Sequence, residues 1–201
     1  MRMPKLVTEV ERQQKRRSIL DAAAAEIARF GFDRANINTI AERAGIGRGT
    51  IYLYFDSKDE VLGALLDSVG RVIDDIIQDC IALDLPWPDR LQWLAGAFVS
   101  LAEQHSDYFR VQLSALRGLD RNLSAPVSRW LQISVSRLSA ALEAASLDGA
   151  VAMLPSETLA TILIGTVESF ILLPGAVAPD DDVRTRAQTL ARVLWDGMAP
   201  D

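Results

Sequence analysis

Apolar residues recur at spacings of three and four along almost the whole 201-residue chain, and no stretch sustains an alternation of apolar and polar residues. The first pattern places apolar side chains on one face of a helix, whereas alternation is typical of a half-buried strand. Hydrophobic residues make up 49% of the chain, which is ample for a packed core. The sequence therefore predicts an all-α fold of about nine helices.

Caps and helix breakers indicate where these helices begin and end. Gly31 and Gly45 favour helix ends and turns, Asn36 is a good N-cap, and Ser57 with Glu60 forms a capping-box pattern. Pro86 and Pro88 interrupt the chain after the fourth helix. The predicted helices run approximately over residues 10–30, 37–44, 47–53, 57–81, 90–104, 107–117, 124–147, 156–173 and 181–197.

The net charge of −6 is distributed unevenly along the chain. Residues 1–58 contain eleven Lys and Arg against seven Asp and Glu, whereas residues 59–201 contain ten against twenty. Such asymmetry is expected where one part of a chain meets phosphate and the other does not. We therefore divide the chain into a DNA-binding domain, 1–58, and a second domain, 59–201.

A short helix, a glycine turn and a second short helix over residues 37–53 predict a helix-turn-helix, which lays its second helix in the major groove of DNA. Its hydrogen-bond donors include Arg48, Thr50, Tyr52 and the nearby Lys58. The apolar residues expected to pack the motif are Ile40, Ala41, Ala44, Ile46, Ile51 and Phe55. A cluster of basic residues on the first helix is either a solvated face or a second attraction for phosphate.

The same segment, from the I-L-D-A-A-A-A-E of the first helix to the Y-L-Y-F-D-S-K-D-E that follows the motif, resembles the N-terminal domain of the tetracycline-repressor (TetR) family over about residues 18–65. The resemblance implies an all-helical homodimer with three N-terminal helices for double-stranded DNA and a larger C-terminal domain for a small molecule. It also implies repression of nearby genes from a palindromic operator, relieved when the effector binds.

Carried over by position, the resemblance places Arg48 and Gly49 at base edges and Thr50 and Tyr52 at phosphates. Lys58 matches a lysine that holds the DNA backbone. Asn38 and Thr39, which open the second helix, match positions that reach a phosphate or a base, and Tyr54 either touches the backbone or packs within the motif. Packing is also an alternative for Tyr52. Gly47 departs from the family pattern because many relatives have a side-chain cap there.

A recognition helix of seven residues contacts few bases, so two copies on a symmetric dimer are expected to read two half-sites. The family resemblance places the dimer interface on the last two helices, and the alternative is that their apolar residues form an intramolecular core. The candidate interface residues are Ala160, Thr161, Gly165, Val183, Ala187, Leu190 and Leu194.

Bulky and partly polar residues on the middle helices are candidates for a mostly apolar effector site. They are Phe98, His105, Tyr108, Phe109, Leu113, Trp130, Glu168 and Phe170. Each is alternatively a core residue, and Glu168, in the most apolar helix, is expected to pair with an arginine, face solvent or bind a cationic ligand group.

Several function classes are disfavoured. No constellation of nucleophile, base or metal ligands is recognisable, and one histidine and one cysteine, Cys80, leave no multi-histidine or multi-cysteine metal site and no intrachain disulfide, so we expect no enzyme, no metal and no cofactor. No apolar stretch reaches the roughly 20 residues of a membrane span, and no signal-peptide pattern opens the chain, which predicts a cytoplasmic protein. The competing function is a helical small-molecule sensor or carrier with lost or minor DNA binding.

Overall fold

The computed structural model describes residues 8–116, 124–152, 154–172 and 183–200. Within those ranges the chain forms eight α-helices and one short 3₁₀-helix and no strand, which confirms the all-α prediction. The helices are α1 (Glu9–Phe30), α2 (Ile37–Arg43), the 3₁₀-helix (Ile51–Leu53), α3 (Lys58–Ala82), α4 (Trp87–Gln104), α5 (Ser106–Leu116), α6 (Ser124–Leu147), α7 (Ser156–Leu172) and α8 (Val183–Asp196).

The caps of the first three α-helices follow the sequence signals closely. Gly31 ends α1 with φ 77°, a conformation that glycine adopts at little cost. Asn36 accepts a hydrogen bond from the backbone N–H of Asn38 at 2.9 Å, and Ser57 accepts from that of Glu60 at 3.1 Å. The second half of the predicted capping box is wrong, because the Glu60 carboxylate accepts from the N–H of Asp56 instead of Ser57.

The predicted third helix is only partly helical. Residues 47–50 form a turn in which the N–H of Thr50 donates to the Gly47 carbonyl at 2.8 Å, and the 3₁₀-helix follows at Ile51–Leu53. The N–H of Tyr54 likewise donates to the carbonyl of Ile51, three residues earlier, at 3.0 Å. Two glycines in so short a segment disfavour a regular α-helix, and the tighter 3₁₀ turn is the usual form of short helical pieces. We call residues 47–54 the recognition segment.

Two apolar cores divide the chain, and α3 contributes to both. The N-terminal core contains α1, α2, Ile51 and Phe55, the start of α3 as far as Leu66, and Val111 of α5. The C-terminal core begins on α3 at Val69 and is completed by α4, α6, α7 and α8. The predicted domain boundary after residue 58 stays a prediction, but helix α5 clearly packs into the core that holds the helix-turn-helix.

Helix α6 lies along the second half of α3 and is joined to it by two carboxylates. Asp67 accepts from the Arg129 guanidinium and, at 2.9 Å, from the indole N–H of Trp130. Asp74 is 7% exposed and accepts from Nε and Nη2 of Arg137 at 3.0 and 3.3 Å. These links join α6 to α3 at two positions along α3, Asp67 and Asp74.

Burial within the single chain favours the intramolecular alternative for part of the predicted dimer interface, which stays a prediction. Ala160, Ala187 and Leu190 are 0%, 5% and 7% exposed and lie in the C-terminal core, so their side chains have little surface left for a partner. Leu194 is half-buried against the same core. Thr161 and Gly165 are exposed, and the side chain of Val183 lies outside the described residues.

By the spacing of apolar residues, Phe30 shares the apolar face of α1 and Val72 the inward face of α3, but the structure leaves them 44% and 40% exposed. Cys80 is buried, and burial raises the pKa of its thiol to about 11. The thiol therefore stays protonated near neutral pH, which fits a packing role.

Candidate nucleic-acid interface and effector cavity

The recognition segment is anchored by buried apolar side chains and turns several polar ones outward, together with Leu53, which is 74% exposed. Ile51 and Phe55, at 1% and 2% exposure, anchor the segment in the N-terminal core, whereas Tyr52 is 53% exposed. Arg48 and Gly49 are exposed and Thr50 is half-buried. Helical turns held by only two buried anchors thus present an outward face of donors, which is the arrangement that contact with phosphates and base edges requires.

The flanking candidates differ in how accessible they are. Asn38, at the start of α2, is exposed, and Thr39 beside it is half-buried. Tyr54 is half-buried and packs against the N-terminal core, which favours the packing alternative without excluding a contact through its hydroxyl. Arg43 of α2 lies 3.7 Å from the buried carboxylate of Glu26 on α1 and helps to fix the two helices together.

Lys58 is engaged inside the protein. Its ammonium donates to the carbonyls of Phe32 at 2.7 Å, Asp33 at 3.2 Å and Ala35 at 3.3 Å, and it lies 4.5 Å from the centroid of the Phe32 ring. An ammonium group has three donors, so these carbonyls use all of them. The predicted contact of Lys58 with the DNA backbone stays a prediction, and its arrangement here instead ties α3 to the loop between α1 and α2.

The basic residues at the start of α1 lie beside the same motif. Arg12, Lys15 and Arg17 are exposed, and the Arg16 guanidinium stacks over the Phe55 ring at 4.8 Å from its centroid. A guanidinium over an aromatic face gains a cation–π attraction. Arg16 therefore connects the surface of α1 with the residue that anchors the end of the recognition segment.

A cavity of about 310 Å³ lies where α1, α3, α4 and α5 meet. Its volume is at the lower end of the range for small-molecule sites. One part of the wall is apolar and the other carries the polar groups of α1, so the cavity reaches the DNA-binding region directly. The lining residues are Gln13, Arg16, Arg17, Leu20, Asp21, Ser68, Val69, Val72, Leu101, His105, Tyr108 and Phe109.

One hydrogen bond crosses this cavity wall between the two cores. The Tyr108 hydroxyl on α5 donates to the Asp21 carboxylate on α1 at 2.6 Å. Burial, followed by this hydrogen bond, raises the pKa of Tyr108 above its ordinary value near 10. The ring of His105, which caps the end of α4, meets the Tyr108 ring edge to face at 5.6 Å. The junction between α4 and α5 is thereby linked to α1.

The cavity brings together three of the eight predicted effector residues, His105, Tyr108 and Phe109. Phe98 lies in the C-terminal core at 1% exposure, and Trp130 packs its indole ring on Gly70 of α3. Neither residue lines this cavity. The side chains of Leu113, Glu168 and Phe170 lie outside the described residues.

The contribution of α1 to the cavity is not among the sequence-based predictions. The sequence pattern assigns Arg16 and Arg17 to a solvated or phosphate-facing cluster, and Val72 to the inward face of its helix. A usable signal is nevertheless present, because Arg16, Leu20 and Asp21 fall within six residues on neighbouring faces of one helix. That spacing places a polar and an apolar surface side by side.

Two negative findings concern the described part of the chain. No helix there is long and apolar enough to cross a membrane. No group of three or more His, Cys, Asp or Glu side chains in those ranges is arranged to hold a metal ion.

Comparison with known proteins places the motif in a family. Residues 19–65 match the family described as bacterial regulatory proteins, tetR family. The fatty acid metabolism regulator protein of Bacillus subtilis (strain 168) is 36% identical over 70 residues, which are 34% of this chain and 36% of that protein. That alignment spans about a third of the relative's length.

Two longer similarities extend over most of the chain. The HTH-type transcriptional regulator YvdT of Bacillus subtilis (strain 168), itself uncharacterized, is 26% identical over 164 residues, 79% of this chain and 83% of that protein. The crystal structure of the regulator FadR from Bacillus subtilis, solved with stearoyl-CoA, matches with a TM-score of 0.78 at 22% identity, covering 90% of this chain and 98% of that one. The chain therefore resembles the tetR family of bacterial regulatory proteins over residues 19–65, which contain the helix-turn-helix, and it shares the fold of a solved transcriptional regulator over most of its length.

Proposed function

We propose that the protein is a transcriptional repressor that binds a palindromic operator as a homodimer and is released by a small-molecule effector. The observation that carries this proposal is the recognition segment, which turns Arg48 and Tyr52 outward while Ile51 and Phe55 anchor it. The cavity beside α1 supplies a place from which an effector can act on that segment. Binding of the effector must favour a state that does not bind DNA.

The homodimer is required by the small size of the reading surface. Each recognition segment spans about two helical turns, so a useful operator affinity needs two half-sites on one symmetric assembly. Exposed positions on α7 and α8 support an interface there. Thr161 and Gly165 are exposed, and Ile162 and Val193 leave 50% and 60% of their apolar surface uncovered in the single chain.

The effector class is suggested by the similarity to a regulator of fatty acid metabolism and to a solved structure that contains stearoyl-CoA. A mostly apolar cavity with a polar rim fits a ligand that has an apolar chain. We extend the same proposal to a cytoplasmic location and to the absence of catalytic activity, because regulators of this kind act on DNA within the cell and turn over no substrate.

Operator binding tests the proposal. Genomic fragments selected with the purified protein define the operator, and fluorescence anisotropy then compares the wild type with Arg48→Ala and Tyr52→Phe. Loss of a base or phosphate contact at Arg48 is expected to weaken binding about 5- to 150-fold per half-site. Arg71→Ala removes the same charge from an exposed position on α3 and serves as the matched control.

The two candidate functions give different results. Unchanged affinity and salt dependence in Arg48→Ala and Tyr52→Phe remove the proposed reading surface. Failure to retain any fragment, combined with binding of a small molecule, favours the sensor or carrier without significant DNA binding. The cavity is the observation that keeps this second function in view, because it exists independently of the recognition segment.

A further inference from the structure

The polar part of the cavity wall carries more positive than negative charge. Arg16 and Arg17 both line the cavity, and among the described residues neither forms an ion pair. The one carboxylate of the wall, Asp21, accepts the Tyr108 hydroxyl. Positive charge therefore exceeds negative charge in this wall, and that excess favours an anionic ligand group.

The rest of the wall sets the chemistry of the remaining part of the ligand. Leu20, Val69, Val72, Leu101 and Phe109 come from four helices and form an apolar surface next to the two arginines. A volume of about 310 Å³ accommodates an apolar chain of short or medium length. The ligand chemistry that matches both surfaces is an amphiphile with an anionic head group and an apolar tail.

We propose that the cavity binds an anionic amphiphile, with its head group on Arg16 and Arg17 and its tail against the apolar wall, and that this occupancy is transmitted to DNA through Arg16. This inference rests on the proposed function, since it names the effector class and the route of the response. The carboxylate of a free fatty acid and the phosphates of an acyl-CoA share the required chemistry.

The route depends on the double position of Arg16. Arg16 lines the cavity, and its guanidinium stacks over Phe55 at 4.8 Å from the ring centroid. Phe55 is 2% exposed and directly follows the recognition segment, and its backbone N–H donates to the Ile51 carbonyl at 3.1 Å. An anion that attracts Arg16 draws it away from the ring and changes the support beneath that segment.

Calorimetry on the full chain tests the ligand class with three probes below their micelle concentrations: decanoate, 1-decanol and decanoyl-CoA. Decanoate or decanoyl-CoA is expected to bind at least about tenfold more tightly than the neutral alcohol. In Arg17→Gln this advantage is expected to fall to about threefold or less. Arg29→Gln makes the same substitution at an exposed position on the same helix, away from the cavity, and is expected to keep the advantage.

The result also assigns the source of the anion. Binding of decanoyl-CoA alone, lost in Arg17→Gln, supports the inference with the nucleotide phosphates as the anion, and binding of decanoate supports it with the carboxylate. Equal binding of the alcohol overturns the inference, as does an equal loss in Arg29→Gln or no binding of either anionic probe.

Operator anisotropy with and without the bound probe tests the route through Arg16. The wild type is expected to lose operator affinity when the probe is bound, and Arg16→Gln to lose much less at a probe concentration that saturates it. A full response in Arg16→Gln overturns the route. Operator binding without any probe is measured on the same samples, so a failure of the proposed repressor function is recognised separately from a failure of the ligand class.

Discussion

The two halves of α3 are held in place by different kinds of contact. From Asp67 onward, the helix is joined to α6 by two carboxylates with arginine partners and by close packing of Trp130 on Gly70. As far as Leu66, the helix packs through apolar side chains into the N-terminal core and is tied to the loop between α1 and α2 by Lys58. The two halves of α3 thus pack into different parts of the molecule and are held there by different contacts.

This contrast indicates where movement is least costly. Paired charges and an aromatic ring without spare space define one arrangement of α3 against α6, whereas an apolar core permits small displacements along its surfaces. The cavity lies between the two halves: Arg16 and the Tyr108 hydrogen bond belong to its N-terminal side, whereas Val69 and Val72 of its wall come from the second half of α3. We expect an effector to shift α1 and the first half of α3 relative to a fixed pair formed by α6 and the second half.

The largest expected effect is at the contact between Gly70 and Trp130. A Cβ at Gly70 would overlap the indole ring of Trp130, whereas a Cβ at Gly63, in the first half of the same helix, meets nothing within 4 Å. Gly70→Ala is expected to lower the free energy of unfolding by about 1–3 kcal/mol through overpacking. Gly63→Ala is expected to raise it by about 0.5–1 kcal/mol through helix propensity. Urea denaturation measures both, and equal effects would show that the two halves are equally loose.

The next largest effect is expected at the ion pair between Arg137 of α6 and Asp74 of α3. Arg137→Ala leaves the Asp74 carboxylate, 7% exposed, with only the Gln78 amide as a donor at 2.9 Å. We expect the free energy of unfolding to fall by about 2 kcal/mol. Arg129→Ala is the comparison: the side chain of Asp67 is 33% exposed, so solvent screening should keep that loss below about 1 kcal/mol. If both substitutions lower the free energy of unfolding by the same amount, the deeper burial of Asp74 does not make its ion pair stronger than that of Asp67.

Local patterns in the sequence are sufficient for most of the fold. The helix ends at Gly31, Asn36 and Ser57 are fixed by contacts within a few residues, and the burial of Ile51 and Phe55 follows from their spacing. The third helix is less regular than predicted, because spacing shows which side chains share a face and not whether the backbone bonds run to the third or the fourth residue.

The cavity depends on contacts that no local pattern contains. Arg16 and Tyr108 are 92 positions apart, and they come together only because α5 packs into the N-terminal core through Val111. The burial of Ala160 and Leu190 is likewise invisible in the sequence, since an apolar stripe looks the same whether it faces its own core or a partner. Local patterns therefore locate the recognition segment and its buried anchors but not the wall of the cavity.

A third prediction concerns Lys58 and separates a structural clamp from a DNA contact. Lys58→Met keeps an unbranched stem but leaves the carbonyls of Phe32, Asp33 and Ala35 without their shared donor. The free energy of unfolding is expected to fall by about 1 kcal/mol. If Lys58 acts only as a clamp, the salt dependence of operator binding stays unchanged, whereas a phosphate contact lowers its slope by about one per protomer. Lys15→Met, at an exposed position on α1, is the control for stability.

The smallest expected effect is at the single hydrogen bond between α5 and α1. Tyr108→Phe removes the donor to Asp21, and since that carboxylate is exposed we expect the free energy of unfolding at neutral pH to fall by only about 0.5–1 kcal/mol. Burial, and after it this hydrogen bond, raises the pKa of Tyr108, so the contact between α5 and α1 has a pH signature.

Above a pH of about 10 the tyrosine of the unfolded chain ionises while the folded one resists ionisation, so the stabilisation present at lower pH is lost as the pH rises through the folded pKa. Denaturation at pH values of about 8 and about 10.5 should therefore show a steeper loss of stability in the wild type than in Tyr108→Phe. An identical pH dependence in the two proteins would mean that the bond contributes nothing to holding α1 against α5, and the looser side of the molecule would then be held by apolar packing alone.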